Sequence, residues 1–449
     1  MQRRNFISNV ALGAMGVGLS SSFITKKTGG SNDKIVLALI GSGGRGREVL
    51  SGIIKENENI EVKYLCDVNE TLEGVAADIR TYSKKQGYAP LFITDMRKAF
   101  DDKDVDAVVI ATPEHWHVLA SIWALQAGKH VYVEKNPTLS VWEGQQLIAA
   151  TKKHKKVVQI GFQNRSAPYA FSARDYIKSG KLGNIVHVKC YNLLGGSKWV
   201  AQPDSAIPAG LNWDAWQGPA KPVPYNPNRH SMTGRGGWLD FWSYGGGALS
   251  DDASHVMDLA RLAMGDPGHP SSVYCTGGNV GFHSKKETPE FLNITYQFNN
   301  FSMTCESGSC TPYMTKEGRE VRYGSKWPYW PQNSTRIEIY GTERIMYLGR
   351  HGVGWQVMEV DGKIVDMDKG YFPDKFHQKN FIESIRLSKI PNGDVTQGHL
   401  SASLVHLADI AYRVGNKYLE FNAQTEKFTN YEAANQFLKG HYRSPYMIS

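Results

Sequence analysis

The chain has 449 residues, 41% hydrophobic and 21% charged, with a formal net charge of +8. That length exceeds one average domain and supplies enough apolar side chains for a large core without metals or disulfide staples. The positive charge is modest and scattered. Its densest run, Lys152-Lys153-His154-Lys155-Lys156, reads as a solvated helix end, so nucleic acid is not expected as a partner.

The chain opens Met1-Gln2-Arg3-Arg4-Asn5-Phe6-Ile7 and continues into a weakly apolar stretch over residues 10–23. Paired arginines before a short apolar run resemble a bacterial twin-arginine signal; a basic tail is the other reading. The run is shorter than the roughly 20 residues that span a bilayer, and no later segment comes closer. Residues 1–33 are therefore set aside as signal and linker, with a periplasmic location expected and no membrane span. Five cysteines (Cys66, Cys190, Cys275, Cys305, Cys310) lack metal-ligand spacing. Cys305 and Cys310 are close enough in sequence to pair, but free buried thiols are the preferred reading, and no metal is expected.

From residue 34, continuous apolar runs at 35–40, 60–66, 106–111, 129–133 and 157–161 alternate with helical patterns. Strands without polar alternation, separated by helices, predict a parallel sheet covered on both faces, a doubly wound α/β domain over residues 34–160. Its first turn reads Gly41-Ser42-Gly43-Gly44-Arg45-Gly46, a G-x-G-x-x-G between a strand and a helix. Gly41 permits the tight turn, Gly43 lets a pyrophosphate approach, and Gly46 allows close packing; Gly44 and Arg45 open the helix, and all five are expected to bind the cofactor. Asp67 ends the second strand, 21 positions after Gly46. A carboxylate there accepts from the adenosine ribose and repels a 2′-phosphate, so the expected cofactor is NAD; a helix cap is the plainer role for Asp67.

Later strands end in Thr112-Pro113-Glu114-His115-Trp116-His117 and Glu134-Lys135-Asn136-Pro137, at the sheet edge where ligands bind. Farther on, Gly245-Gly246-Gly247-Ala248-Leu249-Ser250-Asp251-Asp252-Ala253-Ser254-His255 runs from glycines into a helix, with Asp251 and His255 on one face. With the glycine turn, these segments resemble the Gfo/Idh/MocA oxidoreductases, whose Glu-Lys-Pro signature is present here with Asn136 before Pro137. The segment 211–219 and the C-terminal helices are similar to the Bacteroidetes-type branch. The resemblance implies that Thr112, Pro113, His117, Glu134 and Lys135 touch the cofactor. It further implies His255 as proton acceptor, Lys135 as the ammonium at the alcohol oxygen, and Asp251 as the carboxylate that orients them. The residue types suit alcohol oxidation, because imidazole accepts a proton near neutral pH and an ammonium stabilises a developing alkoxide.

Other residues are open to two readings. His115 and His117 either touch ligand or cap the helix they open. Arg165, in Gln163-Asn164-Arg165, either reaches a substrate hydroxyl or lies in a surface turn. Arg235-Gly236-Gly237-Trp238-Leu239-Asp240-Phe241-Trp242-Ser243-Tyr244 offers flat apolar faces to a pyranose, with Trp238 and Tyr244 as substrate contacts and a core role for the tryptophans as the alternative.

Residues 161–449 read as a second, α+β domain with a large, mainly antiparallel open sheet, from runs at 184–193, 272–276, 292–298, 301–306, 336–340 and 344–348. Amphipathic helices follow at 374–387 and 398–414, with His399 and His406 read as structural. The resemblance implies that the open sheet pairs chains in a homo-oligomer. The resulting expectation is an NAD-dependent oxidoreductase moving hydride to or from a secondary hydroxyl of a sugar, cyclitol or glycoside, with cofactor tightly bound. The alternative is an NAD-dependent glycoside hydrolase working by oxidation, elimination, hydration and reduction. A non-catalytic NAD sensor is disfavoured by the intact Lys135 and His255.

Overall fold

A computed structural model describes residues 34–230 and 237–448, so the twin-arginine reading and Arg235-Gly236 fall outside the described residues. The first domain holds six parallel strands: β1 (Ile35–Ile40), β2 (Ile60–Cys66), β3 (Leu91–Ile93), β4 (Ala107–Ile110), β5 (His130–Val133) and β6 (Val158–Ile160). Their order is β3-β2-β1-β4-β5-β6, so the direction of winding reverses between β1 and β4 and opens a crevice at their carboxyl ends. Every residue of β1 is buried, which is why it reads as an unbroken apolar run. The sequence reading does not place β3: it has three residues, none fully buried, and too few for a period to show.

The second domain carries ten strands. β7 (Ile185–Leu193), β8 (Ser272–Gly278), β9 (Phe291–Gln297), β10 (Ser302–Gly308), β11 (Arg336–Gly341) and β12 (Ile345–Gly349) match the predicted runs. β13 (Gly354–Met358), β14 (Ile364–Asp368), β15 (Leu419–Asn422) and β16 (Lys427–Phe428) extend the edges. The order is β14-β13-β12-β11-β7-β10-β9-β8-β15-β16, antiparallel except where β7 runs parallel to β10. Register explains the cysteines. Cys275, Ile294, Cys305, Cys190, Ile337, Leu348 and Trp355 form one row across neighbouring strands, facing the helices. All five cysteines are free thiols, and Cys305 is wholly buried in that row rather than paired with Cys310.

The two domains interlock. Phe381 and Ile382, on helix Asp374–Leu387, pack into the same apolar cluster as Leu37, Val49 and Ile53 of the first domain. Helix Val395–Arg413 lies along helix Val141–His154, with Gly144 seating the His399 ring, since a Cβ there would sit 2.0 Å from its Nδ1. Just after β6, the turn Gln163–Ser166 places Arg165 against the second domain, where its Nε donates to Asp258 Oδ1 at 2.6 Å and its Nη2 to Asp266 at 2.8 Å. Ser401 Oγ also donates to Asp258 Oδ1.

Arg165 and Asp258 are both almost fully buried, so removing the guanidinium strands a buried carboxylate. Arg165→Met should lower the unfolding free energy by about 3–5 kcal/mol. Arg97→Met, which breaks the exposed pair with Asp95, should change it by less than about 1 kcal/mol. Urea denaturation of the two variants checks the contrast.

Candidate active site

The glycine turn is built by close approach. Gly41 takes φ +89°, and a Cβ on it would lie 2.7 Å from the Ala111 carbonyl; one on Gly46 would lie 2.1 Å from the Gly41 oxygen. Above Gly43 there is open space, and helix Gly44–Glu56 begins without a side-chain cap, leaving its first amides for an anion. Ser42 N donates to Asp67 Oδ2 at 2.8 Å, and Asn69 N to Oδ1 at 3.0 Å, so the carboxylate is fixed at the mouth of the turn.

Two cavities meet at this turn. One, about 450 Å³, is lined by Gly41, Gly43, Asp67, Pro113, Trp116 and Trp216 among others and suits an adenosine half. The other, about 330 Å³, is lined by Glu134, Lys135, Asn164, Trp238, Asp251, His255 and neighbours. Ala111 and Thr112 line both, and the Thr112 hydroxyl is buried without a partner between them. A continuous trough with open helix amides at its middle and an unsatisfied hydroxyl fits a dinucleotide. Bound NAD would supply a hydride acceptor at its nicotinamide carbon.

In the second cavity, Lys135 Nζ donates to Asp251 Oδ1 at 2.5 Å and to its backbone oxygen at 3.0 Å. Asp251 belongs to one turn of π-helix, Leu249–Ala253, that leads into the α-helix Ser254–Ala263. This refines the predicted continuous helix: the wider turn lets Asp251, Asp252 and His255 all line one cavity. Burial pulls the Lys135 ammonium down, but Asp251 and Asp252 outweigh it and hold its pKa above the usual lysine value. His255 is pushed the other way. Burial first, then Arg350 and Lys135, hold its imidazole well below the ordinary range, so it is neutral, with Nδ1 unpartnered.

Arg45 reaches the cavity wall, but its charge is spent: it donates to Glu134 Oε1 through Nε and Nη2 at 3.1 and 3.0 Å, and also meets Glu48 and Asp374. Glu134 therefore organises Arg45. Asp252 pairs with Arg350 at 2.7 Å and with Lys316. Asp252, Arg350, His351 and Asp374 were not singled out from sequence; Arg350 and His351 sit in the turn between β12 and β13, whose second strand carried no recognised signal.

Three expected ligand contacts are corrected. Arg165 is buried in the domain junction, and the cavity is lined instead by its neighbours Gln163 and Asn164. Tyr244 is buried in an aromatic cluster with Trp216, His115 and Phe241. His117 lines neither cavity; its Nδ1 meets the Asn136 oxygen at 2.7 Å and its Nε2 the Thr112 oxygen at 2.8 Å, so it ties the two strand-end turns together. His115 likewise bonds the Trp216 oxygen. Trp242 lies away from the second cavity, under the Arg413 guanidinium. Gly44 stands at the helix start and lines neither cavity.

Comparisons with known proteins agree with this layout. Residues 35–162 match the Gfo/Idh/MocA model described as an oxidoreductase family, NAD-binding Rossmann fold. Residues 173–300 and 347–448 match that family's C-terminal alpha/beta domain. A levoglucosan dehydrogenase of Pseudarthrobacter phenanthrenivorans is 30% identical over 183 residues, 41% of this chain and 39% of that protein. A glycosyl hydrolase family 109 protein of Solibacter usitatus is 26% identical over 204 residues, 41% of this chain and 44% of that protein. The chain thus matches less than half the length of either relative. The WlbA dehydrogenase of Bordetella pertussis, solved with NADH and UDP-GlcNAcA, shares the fold at a TM-score of 0.60 and 18% identity, over 87% of this chain and 99% of that one.

Two outcomes follow from this geometry. Wild-type protein should bind NADH at least about 100-fold more tightly than NADPH, and Asp67→Ser should narrow the gap at least tenfold, measured by fluorescence titration. Glu114, buried beside this site, has its carboxyl pushed up by burial to about 8 from 4.5, with Lys135 acting in the opposite direction. Its proton stabilises the fold fully below pH 4.5, and that contribution is lost as pH rises through about 8. Relative to Glu114→Gln, the wild type should therefore lose thermal stability between pH 5 and pH 8; a wild-type midpoint that holds or rises relative to that of the variant over this range would refute this assignment.

Proposed function

Because this chain belongs to the Gfo/Idh/MocA oxidoreductase family, we propose that it transfers hydride between bound NAD and a secondary hydroxyl of a sugar or related polyol. The carrying observation is the convergence of Lys135, Asp251 and His255 in one cavity adjoining the dinucleotide trough. A hydroxyl entering between them meets an ammonium held charged by Asp251 and an imidazole held neutral by burial. The ammonium stabilises the oxygen as it gains charge, and His255 accepts its proton. Asp252, close to the imidazole, favours the imidazolium once formed. Trp238 and Phe372 supply apolar faces on the same wall, suited to the C–H faces of a sugar ring.

Pairing of chains belongs to the same proposal. The outer face of the ten-stranded sheet carries a row of Tyr274, Thr295, Thr304 and Lys189 in register, a flat surface for a second copy. The family 109 likeness keeps a second reading in play, a glycoside hydrolase that oxidises, eliminates, hydrates and reduces. It needs a further base for the proton beside the new ketone.

His255→Asn should lower kcat at least 100-fold while NADH affinity changes less than about threefold. An unchanged turnover removes His255 from the mechanism. Across a panel of free sugars and glycosides, the dehydrogenase yields keto-sugar and NADH, whereas release of free sugar from a glycoside without net NADH identifies the hydrolase.

A further inference from the structure

Outside both cavities, three side chains from separate segments converge. His269 lies in the loop before β8, His399 on helix Val395–Arg413, and Glu426 in the turn between β15 and β16. Nε2 of each imidazole stands 2.8 Å from Glu426 Oε1. Both rings are 4% exposed and the carboxylate 16%. From the first domain, Gln145 Nε2 donates to the other oxygen, Glu426 Oε2, at 2.6 Å. None of these residues lines the dinucleotide trough.

We propose that His269, His399 and Glu426 form a divalent transition-metal site, best suited to Zn²⁺, that clips these three segments together. Two imidazole nitrogens and one carboxylate oxygen are a donor set zinc takes, with a fourth position for water on the partly open Glu426 side. Charge supports it. The groups bonded to Glu426, two imidazoles and an amide, bring no permanent positive charge. The nearby cation Arg261 directs its Nη groups to Pro267, Gln397 and Ser401. A largely buried carboxylate without a cation is costly, and a bound dication removes that cost.

The chemistry of entry is simple. In the hydrogen-bonded cluster each Nε2 faces the Glu426 carboxylate, while both Nδ1 atoms are buried and unpartnered. Metal binding requires each Nε2 to present its lone pair, with the ring proton carried on Nδ1. Zinc bonds of roughly 2.0–2.1 Å place tetrahedral ligands about 3.3 Å apart, so each imidazole–carboxylate distance of 2.8 Å opens by about half an ångström. Gln145 then serves as the outer partner that orients the carboxylate. Gly144 admits the His399 ring against the first domain.

The test uses tag-free full-length protein, stripped with EDTA, desalted and titrated with zinc sulfate by calorimetry, with metal counted by mass spectrometry after gel filtration. One Zn²⁺ per chain is expected, binding at least 100-fold more weakly in Glu426→Gln and raising the thermal midpoint of the wild type alone. Absence of stoichiometric zinc in the wild type, or equal binding by Glu426→Gln, overturns the site and leaves a hydrogen-bonded cluster only. Should the variant not fold, X-ray absorption of the zinc-loaded wild type decides: two imidazoles and oxygen support the site, whereas sulfur ligation, as from Cys310, overturns it. Hydride-transfer activity is read separately, since no proposed catalytic group is touched.

Discussion

The ion pair between Lys135 and Asp251 is where the two domains become one site. Lys135 rides at the end of β5, and Asp251 on a π-helical turn of the second domain, 116 positions later. An ammonium with little exposure stays charged only beside an anion, so the lysine constrains where the second domain can dock. Everything else that shapes the cavity follows from that docking. Helix Asp374–Leu387 closes one side, the β12–β13 turn brings Arg350 from another, and His255 is carried in on the helix that follows Asp251.

Burial then sorts the titratable groups into distinct chemical roles. The same desolvation acts on Lys135, His255 and Glu114, yet with different results. The lysine has two carboxylates nearby and keeps its proton. The histidine faces Arg350 and Lys135 and loses its own. Glu114 lacks a strong cationic partner and holds a proton that an exposed glutamate would have lost. One charged acid and one neutral base side by side is the arrangement an alcohol oxidation requires.

Local spacing made much of this legible in the sequence. The glycine turn needs only six adjacent residues between a strand and a helix, and Asp67 falls where the second strand ends, so both could be read without knowing the fold. Lys135, Asp251 and His255 came through the family resemblance, and the cavity brings them together. What failed were residue types that serve packing as readily as binding. Arg165 answers Asp258 across the domain junction, Tyr244 fills an aromatic cluster, and His117 bonds two backbone oxygens. Arg350 and His351 gave no signal because their place in the cavity depends on pairing of strands far along the chain.

The ion pairs also weigh between the two catalytic readings. A hydrolase of the oxidation–elimination type needs a free base beyond the one that takes the hydroxyl proton. The carboxylates lining the cavity are already committed: Glu134 and Asp374 to Arg45, Asp252 to Arg350 and Lys316, Asp251 to Lys135. His351, the other imidazole on the wall, is bonded to Glu317. A carboxylate held in an ion pair has a fixed position and committed oxygens, unsuited to plucking a proton from carbon. That leaves His255, neutral and unpartnered at Nδ1, as the base this cavity offers among the described residues. A single base suffices for hydride transfer and falls one short for elimination, and on that count the arrangement favours the dehydrogenase.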